Sequence, residues 1–156
     1  MSTVKGGSIL DSAITTGVTI ITTRNKQQPG GMTAAWVTQV SLNPVLLAVS
    51  IAPQRNTHHL IKSSGYFCVN VLAEGQEDLG RRFGLQSGRN TDKFKDVTFK
   101  TGAKDIPVLE GVKATIMCEL VSTHTAGDHD LFIGKAVSIE EDPAKKALVF
   151  RTKDYF

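Results

Sequence analysis

Along most of the chain, apolar positions come in stretches of strand length separated by turn residues. Thr15 to Thr23 is β-branched almost throughout, a composition that suits a pleated, packed surface. Pro29-Gly30-Gly31 follows as a turn signal and predicts a hairpin into a strand over Met32 to Ser41. Asn43-Pro44 marks the next break. Val45 to Ala52, interrupted only by Ser50, is a continuous apolar run, expected as a strand buried on both faces. Asn56-Thr57 stands as a cap-type pair ahead of His58 to Lys62, a short helix that Gly65 ends. Tyr66 to Leu72 returns to strand composition. Glu77 to Phe83 predicts a second short helix, with Leu79 and Phe83 on one face and Gly84 as its stop. The last third reads as strands over Val112 to Thr123 and Leu131 to Ile139, a turn at Ala126-Gly127-Asp128, and a final piece at Ala147 to Arg151. Many strands and two short helices predict a mainly antiparallel barrel or sandwich, of which the barrel is the preferred form.

Composition narrows the class. A length of 156 residues with 40% hydrophobic and 21% charged residues predicts a single globular domain over 1–156 and excludes a disordered chain. The longest apolar run falls far short of the ~20 residues of a membrane span, and the first ten residues carry no apolar signal core. A cytoplasmic, reducing setting is expected, in keeping with only two cysteines. Cys68 and Cys118 sit in apolar strand-like runs, the setting of buried structural thiols.

Net charge is only +3, which by itself argues neither for nucleic acid nor for a membrane surface. Its distribution is more telling. No Asp or Glu occurs between Asp11 and Glu74, while Arg24, Lys26, Arg55, Lys62, His58 and His59 lie in that span. A ligand held by this half would be anionic, although strands also lack Asp and Glu for reasons of propensity alone. From Arg81 to Lys104, seven basic residues face only Asp92 and Asp96. That stretch reads as an exposed excursion, either a solvated basic loop or a binding patch.

No Walker phosphate loop, Rossmann glycine fingerprint, HExxH or nucleophile elbow is present. Two segments carry candidate chemistry. Met32 to Thr38 is a strand of small residues leading to the only tryptophan, Trp36, where backbone groups stay open to a flat ligand. Ser50 to Thr57 runs from a buried strand into a helix start, where free amides, Arg55 and the Thr57 hydroxyl suit a phosphate. Trp36 as a core residue and Asn56-Thr57 as a plain cap are the competing readings.

The order of Thr-Thr-Gly-Val-Thr-Ile-Ile-Thr-Thr, Gly-Met-Thr-Ala-Ala-Trp-Val-Thr-Gln-Val-Ser, Asn-Pro-Val-Leu-Leu-Ala-Val-Ser-Ile, Asn-Thr-His-His-Leu-Ile, Ser-Gly-Tyr-Phe-Cys-Val-Asn-Val-Leu, Asp-Lys-Phe, Ile-Pro-Val-Leu and Gly-Asp-His-Asp-Leu-Phe-Ile-Gly resembles the flavin reductase-like family from about Ala13 to Tyr155. The resemblance implies an FMN-binding split β-barrel of Greek-key type with short peripheral helices, forming a homodimer. It implies FMN as cofactor, with FAD as the alternative flavin, and NAD(P)H as co-substrate. Thr33, Ala34, Ala35, Trp36 and Val37 would lie along the flavin ring. Ser50, Ile51 and Ala52 would flank it, Arg55, Asn56 and Thr57 would bind the phosphate, and Phe83 would close over the pocket. His129 of Gly-Asp-His would stand nearest the nicotinamide or acceptor side. The implied activity is NAD(P)H-dependent flavin reduction, serving a monooxygenase or another acceptor. The alternative is a flavoredoxin-like carrier that holds FMN tightly between redox partners. One departure concerns the chain end, Leu148 to Phe156, which lacks the glycine that often precedes the final Tyr. The resemblance therefore does not by itself carry a C-terminal contact to the site over to this chain.

Overall fold

The computed structural model describes residues 13–86 and 92–155. The β-branched run forms β1 (Thr19–Arg24), which pairs antiparallel with β2 (Pro29–Ala34). β3 (Val37–Leu42) and β4 (Val45–Ile51) form a second hairpin, followed by α1 (Asn56–Ser64) and β5 (Tyr66–Val71). α2 (Glu77–Leu85), β6 (Phe99–Thr101) and β7 (Pro107–Leu109) come next. The long β8 (Ala114–Ala126) and β9 (His129–Glu141) complete the order. Seven strands form one sheet in the order β2-β1-β5-β8-β9-β4-β3, and β6 and β7 form a separate pair. Every pairing is antiparallel.

β2 and β3 occupy opposite edges of that sheet but are joined by only Ala35 and Trp36. Three peptide steps reach at most about 11 Å, so the sheet must curl until its edges approach. No ladder joins β2 to β3 among the described residues. The expected barrel is therefore an open, split one. The expected single strand over Met32 to Ser41 is two strands, because the chain leaves one edge and starts the other at Ala35-Trp36.

The expected turn at Pro29-Gly30-Gly31 also moves. All three residues lie in β2, and the reversal occurs at Asn25 to Gln28. There Asn25 Oδ1 accepts the amides of Gln27 at 2.9 Å and Gln28 at 2.8 Å, an Asx-type turn. The glycines are required by packing: a Cβ on Gly30 would strike Leu60, and one on Gly31 would lie 2.9 Å from the Phe83 ring.

β1 is buried on both faces, which explains its unbroken β-branched composition. Ile21 packs inside the barrel with Val49, Ile51, Ile61, Phe67 and Phe132. Its neighbour Ile20 faces the other way, into a cluster with Leu72, Phe83, Phe94, Leu109 and Tyr155. α2 belongs to this outer layer and continues through Gly84, the expected stop, to Leu85. α1 ends as expected at Gly65, whose amide donates to the Ile61 carbonyl at 2.8 Å. Its N-cap is Arg55, with no side-chain cap, so Asn56 and Thr57 lie inside the first turn. The basic stretch is only partly an exposed excursion: Lys93 and Phe94 are buried, and 87–91 lie outside the described residues.

Candidate functional site

A cavity opens at the split. Thr33 Oγ1 donates to the Gly80 carbonyl at 2.6 Å, Thr19 Oγ1 donates to the Ala34 carbonyl at 2.7 Å, and the Ser50 amide donates to the Trp36 carbonyl at 3.0 Å. These bonds tie the crossing segment to α2, β1 and β4. Thr33, Ala34, Ala35 and Trp36 line a cavity of about 450 Å³ together with Ser50, Ala52, Arg55 and His129. That volume is typical of a small-ligand site. Small side chains along this wall bring a ligand close to the backbone. Trp36, 50% exposed, is not a core residue, and its ring lies 4.9 Å from that of His129.

The remaining wall includes Met32, Gly84 and three residues near the chain end, Phe150, Thr152 and Tyr155. The C-terminal segment therefore reaches the cavity without the glycine that was missed in the sequence. Arg81 Nε donates to the Asp154 carbonyl at 2.6 Å, and the Tyr155 ring stacks on Phe150 at 5.3 Å. Gly80 makes room for it, since a Cβ there would lie 2.8 Å from Tyr155 Cε1. The Tyr155 hydroxyl is buried and finds no hydrogen-bond partner among the described residues. Burial pushes its pKa up to about 12.

A second cavity, of about 240 Å³, shares Met32, Arg55 and Gly84 with the first. Gln54, Asn56, Thr57 and Lys93 also line it. Among the described residues no acidic one lines either cavity, and none occupies the first turn of α1. Burial lowers the Arg55 pKa from its ordinary value. Lys93, from the Asp-Lys-Phe block, is not among the expected site residues, although it lies in the basic stretch read as a solvated loop or a binding patch; nothing in the sequence singles it out from the seven basic residues there as the buried one.

Three expected site residues stand elsewhere. Ile51 and Phe83 are fully buried in the two core layers, and Val37 packs half-buried against the inner one. None lines either cavity. For Ile51 strand alternation is the cause, since Ser50 and Ala52 on either side face the cavity. Phe83 is drawn inward by Gly31 and by the edge of Phe94 at 5.1 Å.

Two histidines frame the site differently. His129 Nδ1 donates to Asp128 Oδ1 at 2.7 Å, which leaves Nε2 as its other hydrogen-bonding atom. His58 is buried and its Nε2 donates to Asp130 Oδ2 at 2.7 Å. That bond ties the start of α1, next to Arg55, to the start of β9, next to His129. Each histidine holds its aspartate partner below the usual carboxylate range. Cys68 and Cys118 are free and buried, with thiols pushed up to about 12, and neither lines the cavities. No group of metal-ligating side chains occurs among the described residues.

An apolar slot of small residues running into a two-cation recess fits a planar ring with an anionic tail.

Comparison with known proteins agrees with this geometry. Residues 11–156 match the family model described as flavin reductase like domain. The chain is 36% identical over 142 residues to the reductase subunit HsaB of a flavin-dependent monooxygenase from Mycobacterium tuberculosis, covering 90% of this chain and 74% of that protein. An FMN-binding protein from Thermus thermophilus, solved with bound 1-cyclohex-2-enone, superposes with a TM-score of 0.87 at 30% identity, over 99% of this chain and 92% of the other. The NADH:FAD oxidoreductase SgcE6 of Streptomyces globisporus gives 0.82 at 30% identity, over 88% and 82%. With its split antiparallel barrel and the cavity at the split, this chain belongs to the flavin reductase-like family.

Proposed function

We propose that the chain is an NAD(P)H-dependent flavin reductase with FMN in the two joined cavities. The observation that carries this reading is the continuity of the small-residue slot with a recess that holds Arg55 and Lys93 and, among the described residues, no acid. The flavin, when bound, supplies the redox chemistry with NAD(P)H. The chain's part is binding and orientation. Thr33 to Trp36 hold the ring through backbone groups, and Ser50 and Ala52 flank it. Arg55, Asn56, Thr57 and Lys93 hold the phosphate, by charge and by the open first turn of α1. Trp36 and His129 form the wall on the side open to NAD(P)H, where His129 Nε2 can orient the incoming carboxamide. FAD is the alternative flavin, in line with the name of the Streptomyces relative.

Anaerobic mixing of the flavin-loaded protein with NADH or NADPH tests this. Rapid loss of the oxidised flavin's visible band is expected with at least one of them. If neither nucleotide bleaches it, the reductase reading falls and the carrier alternative takes its place.

A monooxygenase as consumer of the reduced flavin is supported by the Mycobacterium relative, itself named a reductase subunit. No helix among the described residues is long and apolar enough to cross a membrane. A cytoplasmic setting fits the two free thiols. A homodimer is supported by exposed apolar side chains on the sheet, Val40 and Leu42 on β3 with Val121, Val137 and Ile139 on β8 and β9. Sedimentation equilibrium is expected to return twice the 16.8 kDa chain mass; the monomer mass alone would sink the dimer.

A further inference from the structure

Among the described residues Lys93 is the one lysine or arginine that is buried, at 5% exposure. Its ammonium donates to the Gly31 carbonyl at 2.9 Å and the Phe83 carbonyl at 3.0 Å. One of its three N–H bonds is left for another partner. No carboxylate forms an ion pair with it among the described residues.

The charged groups nearby offer no compensation. Arg55, from the turn before α1, repels it. On α2, Arg82 directs its guanidinium to the carbonyls of Lys93 and Lys95. Asp92, on Lys93's own segment, accepts the Phe94 amide at 3.0 Å. A buried ammonium beside a second cation, with no counter-ion, is costly to keep charged. Burial first, and Arg55 second, pull the Lys93 pKa down to about 8. A compact anion bound in the recess would supply that compensation.

We propose that Lys93 is the pH-dependent specificity residue for phosphorylated flavin beside Arg55, acting only as the ammonium ion, so that FMN binding at mildly alkaline pH takes up a proton. This rests on the FMN reading above and adds to it a selection between FMN and riboflavin that is switched by pH. A phosphate monoester loses its last proton near pH ~6, so above neutrality the ligand keeps its charge and the lysine titrates. With the dianion bound, the lysine's pKa stands above its free value. The preference for FMN is then complete below about pH 8 and declines as pH rises through the bound-state value. Riboflavin, without the phosphate, gains nothing from the ammonium.

The test is the ratio of FMN to riboflavin affinity, read by flavin fluorescence quenching from about pH 7 to about pH 9.5. The wild-type ratio is expected to fall about tenfold or more across this range, the slope of a single linked proton. Lys93→Arg keeps a charge that does not titrate here, so its ratio should stay flat. Lys93→Met should give a ratio that is flat with pH and stands at the wild type's alkaline level, the part that Arg55 supplies. If that variant does not fold, calorimetry of the wild type near pH ~8.5 in two buffers of different ionisation heat decides, with proton uptake expected for FMN and none for riboflavin. A pH-independent ratio in the wild type, or a slope retained in Lys93→Arg, overturns the proposal while leaving FMN binding intact. Failure of both flavins to bind at neutral pH overturns the FMN reading itself, and the proposal with it.

Discussion

Arg55→Ala is expected to weaken FMN binding about a hundredfold while changing riboflavin binding less than about threefold, the size of a lost charge-assisted contact to phosphate. Arg55 lines both cavities, stands at the N-cap position of α1, and is partly buried there. Its charge is therefore poorly screened and acts mainly on a ligand in the recess. Unlike Lys93 it does not titrate in the accessible range, so the loss should appear at every pH. A second consequence follows from its repulsion of Lys93. In Arg55→Ala the pH at which FMN preference declines should move upward, because the lysine then keeps its proton more easily. Equal losses for FMN and riboflavin, measured by fluorescence titration, would move the phosphate elsewhere.

Asn70→Ala is expected to destabilise the fold by about 3 kcal/mol, seen as a fall of about 1.5 M in the urea midpoint. Asn70 is fully buried in β5. Its Nδ2 donates to the Ile20 carbonyl and to Thr22 Oγ1, both at 2.9 Å, and its Oδ1 accepts the Leu109 amide at 2.9 Å. One side chain thus joins β1, β5 and β7, and Thr22 continues the network by donating to the Pro107 carbonyl at 2.6 Å. Truncation strands the Leu109 amide in an apolar layer where no water replaces the carboxamide, and it also opens a small cavity. A shift below about 0.5 M would mean that β7 re-pairs locally and that Asn70 is not what holds it.

These two residues differ in how far sequence reasoning could reach them. Arg55 was legible because it follows an apolar strand and precedes a helix start within a long acid-free span. Asn70 was not, since a polar residue at an alternating strand position reads as solvent-facing. Only the β6–β7 pair, laid over that face of β5, makes it interior. Pro29-Gly30-Gly31 misled for the opposite reason: local turn chemistry yielded to the close approach of Leu60 and Phe83. Ile51 and Phe83 were placed at the site by resemblance, yet their side chains follow the core.

By itself the sequence determined a mainly β chain with two short helices, and the absence of acids around the segment that became the cavity wall. Both follow from short-range causes: side-chain branching, period and charge are properties of neighbouring residues. Tertiary structure alone decided where the split lies, at Ala35-Trp36, that Phe150 and Tyr155 return to line the slot, and that Lys93 enters the recess beside Arg55. Each of these depends on long-range placement, with the sheet curling until its two unpaired edges approach and distant segments packing beside them, which no local pattern encodes.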